Sequence, residues 1–329
     1  MKALALISGG LDSILAARLI KEQGIEVVPV NFKIPFCHLD KGGDKITSMV
    51  FSALGVELKK IDISDDFLRM LQNPRYGFGS NMNPCIDCKI LMLNKARGFM
   101  PEFGADFVVT GEVLGQRPMS QHKQALDLIP RRAGLEGLVL RPLSARVLAE
   151  SIPEEKGWVN REGLLNFGGR GRKPQFKLAE KFNIKDYAQP SGGCLLTDFQ
   201  FSSRLKDLMA HKELSQQNIT LLKIARHFRM SPKAKLIVGR DESENKILEG
   251  SAVNGDCLVY PKDNLAGPTA LLRGEFGQDL IDLSSRITAH YCDLNGSKDA
   301  AIFYRQPGVE ESCLKVAPIE EESLKSLRI

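Results

Sequence analysis

The chain has 329 residues, 43% of them hydrophobic and 26% charged, with a net charge of +5 at neutral pH. That length suits two domains of ordinary size with sizeable cores, and the mild basic excess is compatible with a nucleic-acid partner. No apolar stretch approaches the ~18 residues of a membrane span, and Met1–Ile7 is too short for a signal peptide's apolar core, so no membrane partner and a cytoplasmic location are expected.

Seven cysteines in a reducing compartment argue for metal, cluster or catalytic use before structural disulfides. The first segment with chemical content is the N-terminal one. Ala3–Ile7 reads as a buried parallel strand, and Ile14–Ile20 has helical apolar spacing. Between them lies Ser8-Gly9-Gly10-Leu11-Asp12-Ser13. A small-residue loop entering a helix offers backbone N–H groups and a positive helix end to an anion, and phosphate fits. Gly9 and Gly10 allow close backbone approach. Ser8 and Ser13 add hydroxyl donors, and Asp12 is placed to position a metal ion or cap the helix. The lysine of a G-x-x-x-x-G-K-[ST] loop is missing, which disfavours an NTPase that transfers the γ-phosphate.

Ile25–Phe32 reads as a second strand, with Cys37 and His38 beyond its carboxyl end, where ligands bind in open α/β sheets. A loop role is favoured for both. Lys45–Leu54 reads as a helix and Glu57–Ile61 as a third strand. The Gly- and Asn-rich stretch 73–83 reads as a loop. It leads to Asn83-Pro84-Cys85-Ile86-Asp87-Cys88, with Asn83 the expected N-cap and Pro84 the first helical residue. Both cysteines then fall in a first helical turn, where thiolate is favoured.

Phe107–Thr110 reads as a buried strand ending in Gly111-Glu112-Val113-Leu114-Gly115-Gln116. Leu138–Leu140 precedes Arg141, which is expected to meet phosphate. Alternating strands and helices predict a doubly wound, mostly parallel α/β sheet. Phe167–Lys181, with Arg170, Arg172, Lys173, Lys177 and Lys181, is the densest basic stretch. Solvated surface and RNA-backbone contact are weighed equally for it. Gln189-Pro190-Ser191-Gly192-Gly193-Cys194 presents Cys194 on irregular backbone, whereas Cys257, Cys292 and Cys313 read as structural. Residues 201–217 are polar and helix-prone and read as a linker between a 1–200 domain and a smaller α+β domain at 218–329. Thr220–Phe228 reads as one amphipathic stretch, Ala234–Val238 as a strand and Asp241–Leu248 as a helix.

The order Ser-Gly-Gly-x-Asp-Ser at 8–13 resembles the PP-loop of the ATP pyrophosphatase superfamily, with its adenine-nucleotide α-hydrolase-like fold. Together with Cys85-x-x-Cys88 and the distant Cys194 it looks like the tRNA thiouridine synthases. Thr110-Gly111-Glu112-x-Leu114-Gly115-Gln116 resembles the 4-thiouridine synthase branch. The resemblance spans roughly residues 1–200. Val238-Gly239-Arg240-Asp241-x-x-x-Asn245-x-x-Leu248 is similar to the RNA-binding domain of NFACT proteins. Neither an N-terminal THUMP domain nor a C-terminal rhodanese domain is expected.

The resemblance implies a tRNA sulfurtransferase. ATP activates a uridine carbonyl oxygen as an AMP ester, and sulfur from sulfide or a persulfide carrier replaces it. Ser8, Gly9, Gly10, Asp12, Ser13, Gly111, Gln116 and Arg141 would hold ATP, with Mg²⁺ neutralising charge. Asp12, Cys85, Cys88 and Cys194 would be catalytic. The three cysteines either ligate a 4Fe–4S cluster or work as persulfide carrier and resolving thiol, with the cluster ranked first and zinc last. They are expected to converge on one cavity. Two rivals stay open: an RNA-binding protein with a lapsed PP-loop domain, and a cluster-dependent thiouridine desulfidase. An oligomer is compatible with all of these readings.

Overall fold

The computed structural model describes residues 1–36, 43–185, 187, 194–262 and 265–329. Cys37, His38 and the Pro190–Gly193 turn lie outside the described residues. The chain divides into two compact units, Met1–Thr197 and Asp198–Ile329.

In the first unit the elements run β1 (Lys2–Leu6), α1 (Leu11–Glu22), β2 (Glu26–Lys33), α2 (Gly43–Leu54), β3 (Lys59–Asp62) and α3 (Ser64–Gln72). They continue with α4 (Cys85–Phe103), β4 (Phe107–Val109), α5 (Lys123–Arg132), β5 (Val139–Leu140), α6 (Ile152–Glu155) and α7 (Lys173–Lys181). The strands form one parallel sheet in the order β3-β2-β1-β4-β5. Successive residues of a strand face opposite sides of a sheet. Ala3 and Ala5 accordingly join the core formed with α1, α2 and α7, including Leu15, Met49, Val50 and Leu178. α4 packs against β1, α3 and α5. The strand order reverses between β1 and β4, and such a switch point is where an open α/β sheet leaves a crevice at its carboxyl edge. The loop Ile7–Gly10 and the loop after β4 both emerge there. The expected doubly wound α/β sheet is thus present, with boundaries shifted by one to three residues.

The second unit comprises α8 (Phe199–Ala210), α9 (Gln216–Leu222), β6 (Arg226–Ser231), β7 (Ala234–Val238), α10 (Glu242–Ser251), β8 (Cys257–Pro261), β9 (Ala270–Gly274), α11 (Gln278–His290), β10 (Ala300–Arg305), β11 (Ser312–Val316) and α12 (Glu321–Leu327). Its six strands are antiparallel in the order β11-β10-β8-β9-β7-β6. Leu236, Val238, Val259 and Ile302 face one core with Ile281 and Ile287 of α11. Ile237, Leu258 and Leu271 face another with Leu221 and Leu248. This unit has the expected α+β character.

Residues 201–217, read as a linker, contain most of α8 and the start of α9. Phe201, Leu205 and Leu208 are buried. Asp207 of α8 accepts from Arg229 Nε at 3.0 Å and Lys235 Nζ at 3.3 Å, which fastens the helix to β6 and β7. Burial opposes the Asp207 carboxylate, but Arg229 and Lys235 outweigh it and hold its pKa below the usual range. Burial in turn pushes the Lys235 ammonium down to about 8, against the pull of Asp207. The amphipathic stretch 220–228 is two elements. α9 ends at Leu222, Ala225 takes a φ of 64°, and β6 begins at Arg226.

His227 is buried, and its Nε2–H faces the carbonyls of Leu221 at 3.2 Å and Ile224 at 2.9 Å. Burial first, and then the charges of Lys235 and Arg204, hold its pKa well below the ordinary value. As pH falls, the unfolded chain takes up a proton near pH ~6.5 that the folded chain refuses. The stability of this unit should therefore drop by up to about 1.4 kcal/mol per pH unit below that point. Hydrogen exchange of β6 and β7 amides between about pH 7 and 5 tests this. Wild type should lose protection relative to His227→Gln, and a gap between them that does not change with pH would refute it.

Candidate active site

The loop after β1 is built by its own serines. Ser13 Oγ donates to Gly10 O at 2.7 Å and accepts from Ser8 N at 3.2 Å, while Gly10 N donates to Ser8 Oγ at 3.4 Å. Gly9 takes a φ of 80°, open to glycine at little cost. The N-cap of α1 is Gly10, whose missing side chain leaves the cap role unfilled. A 12-residue helix therefore presents its positive end to this crevice.

Asp12 stands in the first turn of α1. Its Oδ2 accepts from Gln116 Nε2 at 2.7 Å and faces Arg172 Nη2 at 3.7 Å. Its Oδ1 is buried and has no hydrogen-bond partner among the described residues. Gln116 is itself held, its Oε1 accepting from Gln175 Nε2 at 3.0 Å. Gly111 lies hard against this loop: a Cβ there would sit 2.4 Å from Ser13 N and 2.5 Å from the Asp12 carbonyl carbon. The loop after β4 is fixed by Leu114 N donating to Ser144 Oγ at 3.0 Å and by Leu114 O accepting from Gly169 N at 2.7 Å. Ser8, Gly9, Gly10, Asp12, Ser13, Gly111 and Gln116 are thus together at the switch point. An orphaned carboxylate oxygen beside an open helix N-terminus fits a magnesium–nucleotide, because Mg²⁺ is usually bound through a carboxylate plus substrate phosphates.

Arg141 sits elsewhere. It is buried, and it donates through Nε to Glu112 Oε2 at 3.0 Å and through Nη2 to Leu126 O at 3.0 Å. Two of its donors are thereby engaged within the fold. Glu112 also accepts from Thr110 Oγ1 at 3.1 Å and faces Lys89 Nζ at 3.4 Å. Burial opposes the Glu112 carboxylate, but Lys89 and Arg141 prevail and keep its pKa low. Burial likewise opposes the Lys89 ammonium, and Glu112 with the sulfurs of Cys85 and Cys88 outweighs it. Neither Lys89 nor Glu112 was assigned a role from sequence. The available signal was spacing, since Lys89 follows Cys85 by one helical turn and shares its face.

α4 begins at Cys85, with Pro84 rather than Asn83 at its cap. The buried Asp87 accepts from the amides of Arg75 at 3.0 Å and Tyr76 at 2.9 Å, which ties down the preceding loop. Cys85 Sγ donates to Ser120 Oγ at 3.1 Å, in the loop after β4. Cys194 Sγ is directed to Phe36 O at 3.9 Å, just beyond β2. The segment after Cys194 is laid against the residues preceding Cys85. Met82 N donates to Leu196 O at 3.1 Å, and Asn81 Nδ2 to Thr197 O at 2.7 Å. All three cysteine segments therefore reach the carboxyl edge of the sheet. The expected ligand set does not form, however. Among the described residues no three His, Cys, Asp or Glu side chains are grouped to hold a metal ion. The reason is local: the Cys85 thiol is turned to Ser120 and the Cys194 thiol to Phe36. In the second unit, burial pushes the Cys257 and Cys292 thiols up to about 11, while Cys313 lies exposed on β11.

Residues 1–148 match the family model of the thiamine biosynthesis protein (ThiI). That ThiI match contains the 8–13 loop, Cys85, Cys88, Gly111, Gln116 and Arg141, and stops short of Cys194. Residues 225–328 match the NFACT protein RNA binding domain. The tRNA-specific 2-thiouridylase MnmA of Pelobacter propionicus is 34% identical over 121 residues, which are 34% of this chain and 33% of that protein. A "Probable tRNA sulfurtransferase" of Methanothermobacter thermautotrophicus is 34% identical over 204 residues, which are 56% of this chain and 50% of that one. The chain thus spans between a third and a half of the length of these relatives. A solved structure of the U34-tRNA thiolase NcsA from Methanococcus maripaludis with its 4Fe–4S cluster aligns over 68% of this chain and 73% of its own, at 15% identity and a TM-score of 0.38.

The contact at Gly111 is backbone against backbone, so it cannot be relieved by a rotamer change. Gly111→Ala should destabilise the first unit by about 1–3 kcal/mol through overpacking and displace Asp12. A lower thermal midpoint together with weakened ATP binding is expected, and wild-type values for both would refute this placement.

Proposed function

We propose that this chain is an ATP-dependent tRNA sulfurtransferase that exchanges a uridine carbonyl oxygen for sulfur. The observation that carries the reading is the orphaned Asp12 Oδ1 at the helix N-terminus of a switch-point loop, with the cysteine segments stitched to the same sheet edge. The family-model match over 1–148 and the thiouridylase and sulfurtransferase relatives support it.

A carbonyl oxygen is a poor leaving group, and adenylation makes it a good one. The uridine oxygen attacks the α-phosphorus of ATP, the bond to the β-phosphate breaks, and pyrophosphate departs with the electron pair. The uracil N–H proton passes to solvent. Ser8, Gly9, Gly10 and Ser13 would hold the phosphates at the open N-terminus of α1, and Asp12 would hold Mg²⁺, which supplies charge neutralisation when bound. A sulfur nucleophile then attacks the activated carbon, and AMP leaves. With hydrosulfide as nucleophile the exchange is complete. With a cysteine persulfide, its outer sulfur bonds to the carbon and a second thiolate then attacks the cysteine's own Sγ, so that the outer sulfur leaves on the uridine and the two cysteines form a disulfide for a thiol reductant to reopen. Cys85, Cys88 and Cys194 are the residues for this work and would also be the ligands of an iron–sulfur cluster. As they are turned here they do not fit one, and no step is drawn through it.

The second unit, through its match to an RNA-binding domain, and the outward cations Arg170, Lys173, Lys177 and Lys181 would hold the tRNA backbone. Binding should weaken steeply with salt, and Lys177→Ala should lower the salt slope by about one. An unchanged slope would count against this contact. Asp12→Ala should cut tRNA-dependent pyrophosphate release by about a hundredfold or more. Cys85→Ala, Cys88→Ala and Cys194→Ala should release pyrophosphate and yet form no thiouridine, whereas Cys313→Ala should do both. Normal thiolation by all three cysteine variants would sink the proposed sulfur chemistry.

A further inference from the structure

The basic stretch 170–181 is not one surface. Arg170, Lys173, Lys177 and Lys181 are exposed, but the side chain of Arg172 is 29% exposed and points inward to Asp12. Arg172 is the N-cap residue of α7, and Gln175, one turn on, is fully buried. Gln175 donates to Gln116, which donates to Asp12. The start of α7 is thus wired to the phosphate loop by two routes, one charged and one neutral. Its approach is held by the loop before it. Gly168 bridges Leu114, and Ser144 Oγ donates to Phe167 O at 2.6 Å. The Oε1 of Gln175 is buried with no partner among the described residues, like the Oδ1 of Asp12.

We propose that Arg172 is a pyrophosphate-binding residue of the active site and not part of the RNA-contacting surface. The proposal rests on reading residues 8–13 as the ATP site. Arg172 makes one contact to Asp12 at 3.7 Å, longer than a close hydrogen bond, so little geometry is lost when it lets go. A divalent cation brought by ATP competes for the same Asp12 carboxylate. Once that carboxylate faces Mg²⁺, the guanidinium loses its partner and the nearest anion is the phosphate chain in the loop. A planar fork of N–H donors matches phosphate oxygens bidentately. When the uridine oxygen attacks the α-phosphorus and the bond to the β-phosphate breaks, negative charge grows on the departing pyrophosphate. A fixed guanidinium there is stabilising in the transition state. Gln116 and Gln175 are positioning residues in this scheme, since they hold Asp12 and the helix that bears Arg172.

The test uses the full chain. Inorganic pyrophosphate with Mg²⁺ is titrated against wild type, Arg172→Ala and Arg172→Lys, and tRNA-dependent pyrophosphate release and the salt slope of tRNA binding are measured on the same preparations. Arg172→Ala should bind pyrophosphate more weakly and release it about a hundredfold more slowly, with the tRNA salt slope unchanged. Arg172→Lys should recover part of the binding, because it restores the charge without the fork. Wild-type pyrophosphate affinity in Arg172→Ala, or a salt slope lowered by about one with release intact, would overturn the proposal. Wild-type chain that binds pyrophosphate but releases none with tRNA would instead defeat the ATP-cleavage reading, and the titration alone would then decide the role of Arg172.

Discussion

Two donors converge on one oxygen of Asp12, and its other oxygen has none. This unequal pairing organises the first unit. A buried carboxylate oxygen without a partner is costly, and it persists because the surroundings over-determine it. Gly111 presses on the backbone of Asp12 and Ser13, Gln116 fixes Oδ2, and Gln175 fixes Gln116. These residues come from three segments, the first turn of α1, the loop after β4 and α7, and the parallel sheet brings the first two together at the switch between β1 and β4. Under the proposed function, a magnesium–nucleotide would supply the missing partner.

A second charged system lies under the cysteine helix. Lys89 of α4 pairs with Glu112 at 3.4 Å, and Arg141 closes the chain against Glu112 and the Leu126 carbonyl. Burial opposes the charge on both Lys89 and Glu112, and the pair survives because each answers the other. Breaking one partner of such a pair leaves an uncompensated charge, which costs more than the pair itself contributes. This system ties the sulfur-bearing helix to the strand end that also carries Gly111 and Gln116, so the two halves of the proposed chemistry share one scaffold.

What was legible in the sequence was what is local. The strand–loop–helix at 1–20, the placing of Cys85 and Cys88 in a first helical turn and the helix that follows Asp241 all follow from residues adjacent in the chain. Arginine direction was not legible. Arg141 stands at a strand end as expected, yet it turns to Glu112. Arg172 sits in a basic run that reads as surface, yet it turns to Asp12. Composition reports the charge of a long side chain and not the packing that aims it. The helix-prone character of 201–217 was legible but its docking was not, because α8 is fastened through Asp207, whose partners Arg229 and Lys235 lie far along the chain. The thiol orientations are also tertiary, set by Ser120 and the Phe36 carbonyl.

The central claim is that phosphate activation and sulfur insertion happen on one uridine at one sheet edge. It is tested most directly by stoichiometry. Purified chain, tRNA, Mg-ATP and isotopically labelled sulfide are incubated anaerobically, and AMP and labelled thiouridine are counted by mass spectrometry in the same samples. The account predicts one AMP formed for each thiouridine, with no ADP and no thiouridine when ATP is withheld. Thiouridine made without ATP, or ATP cleaved to ADP in step with sulfur insertion, would contradict it.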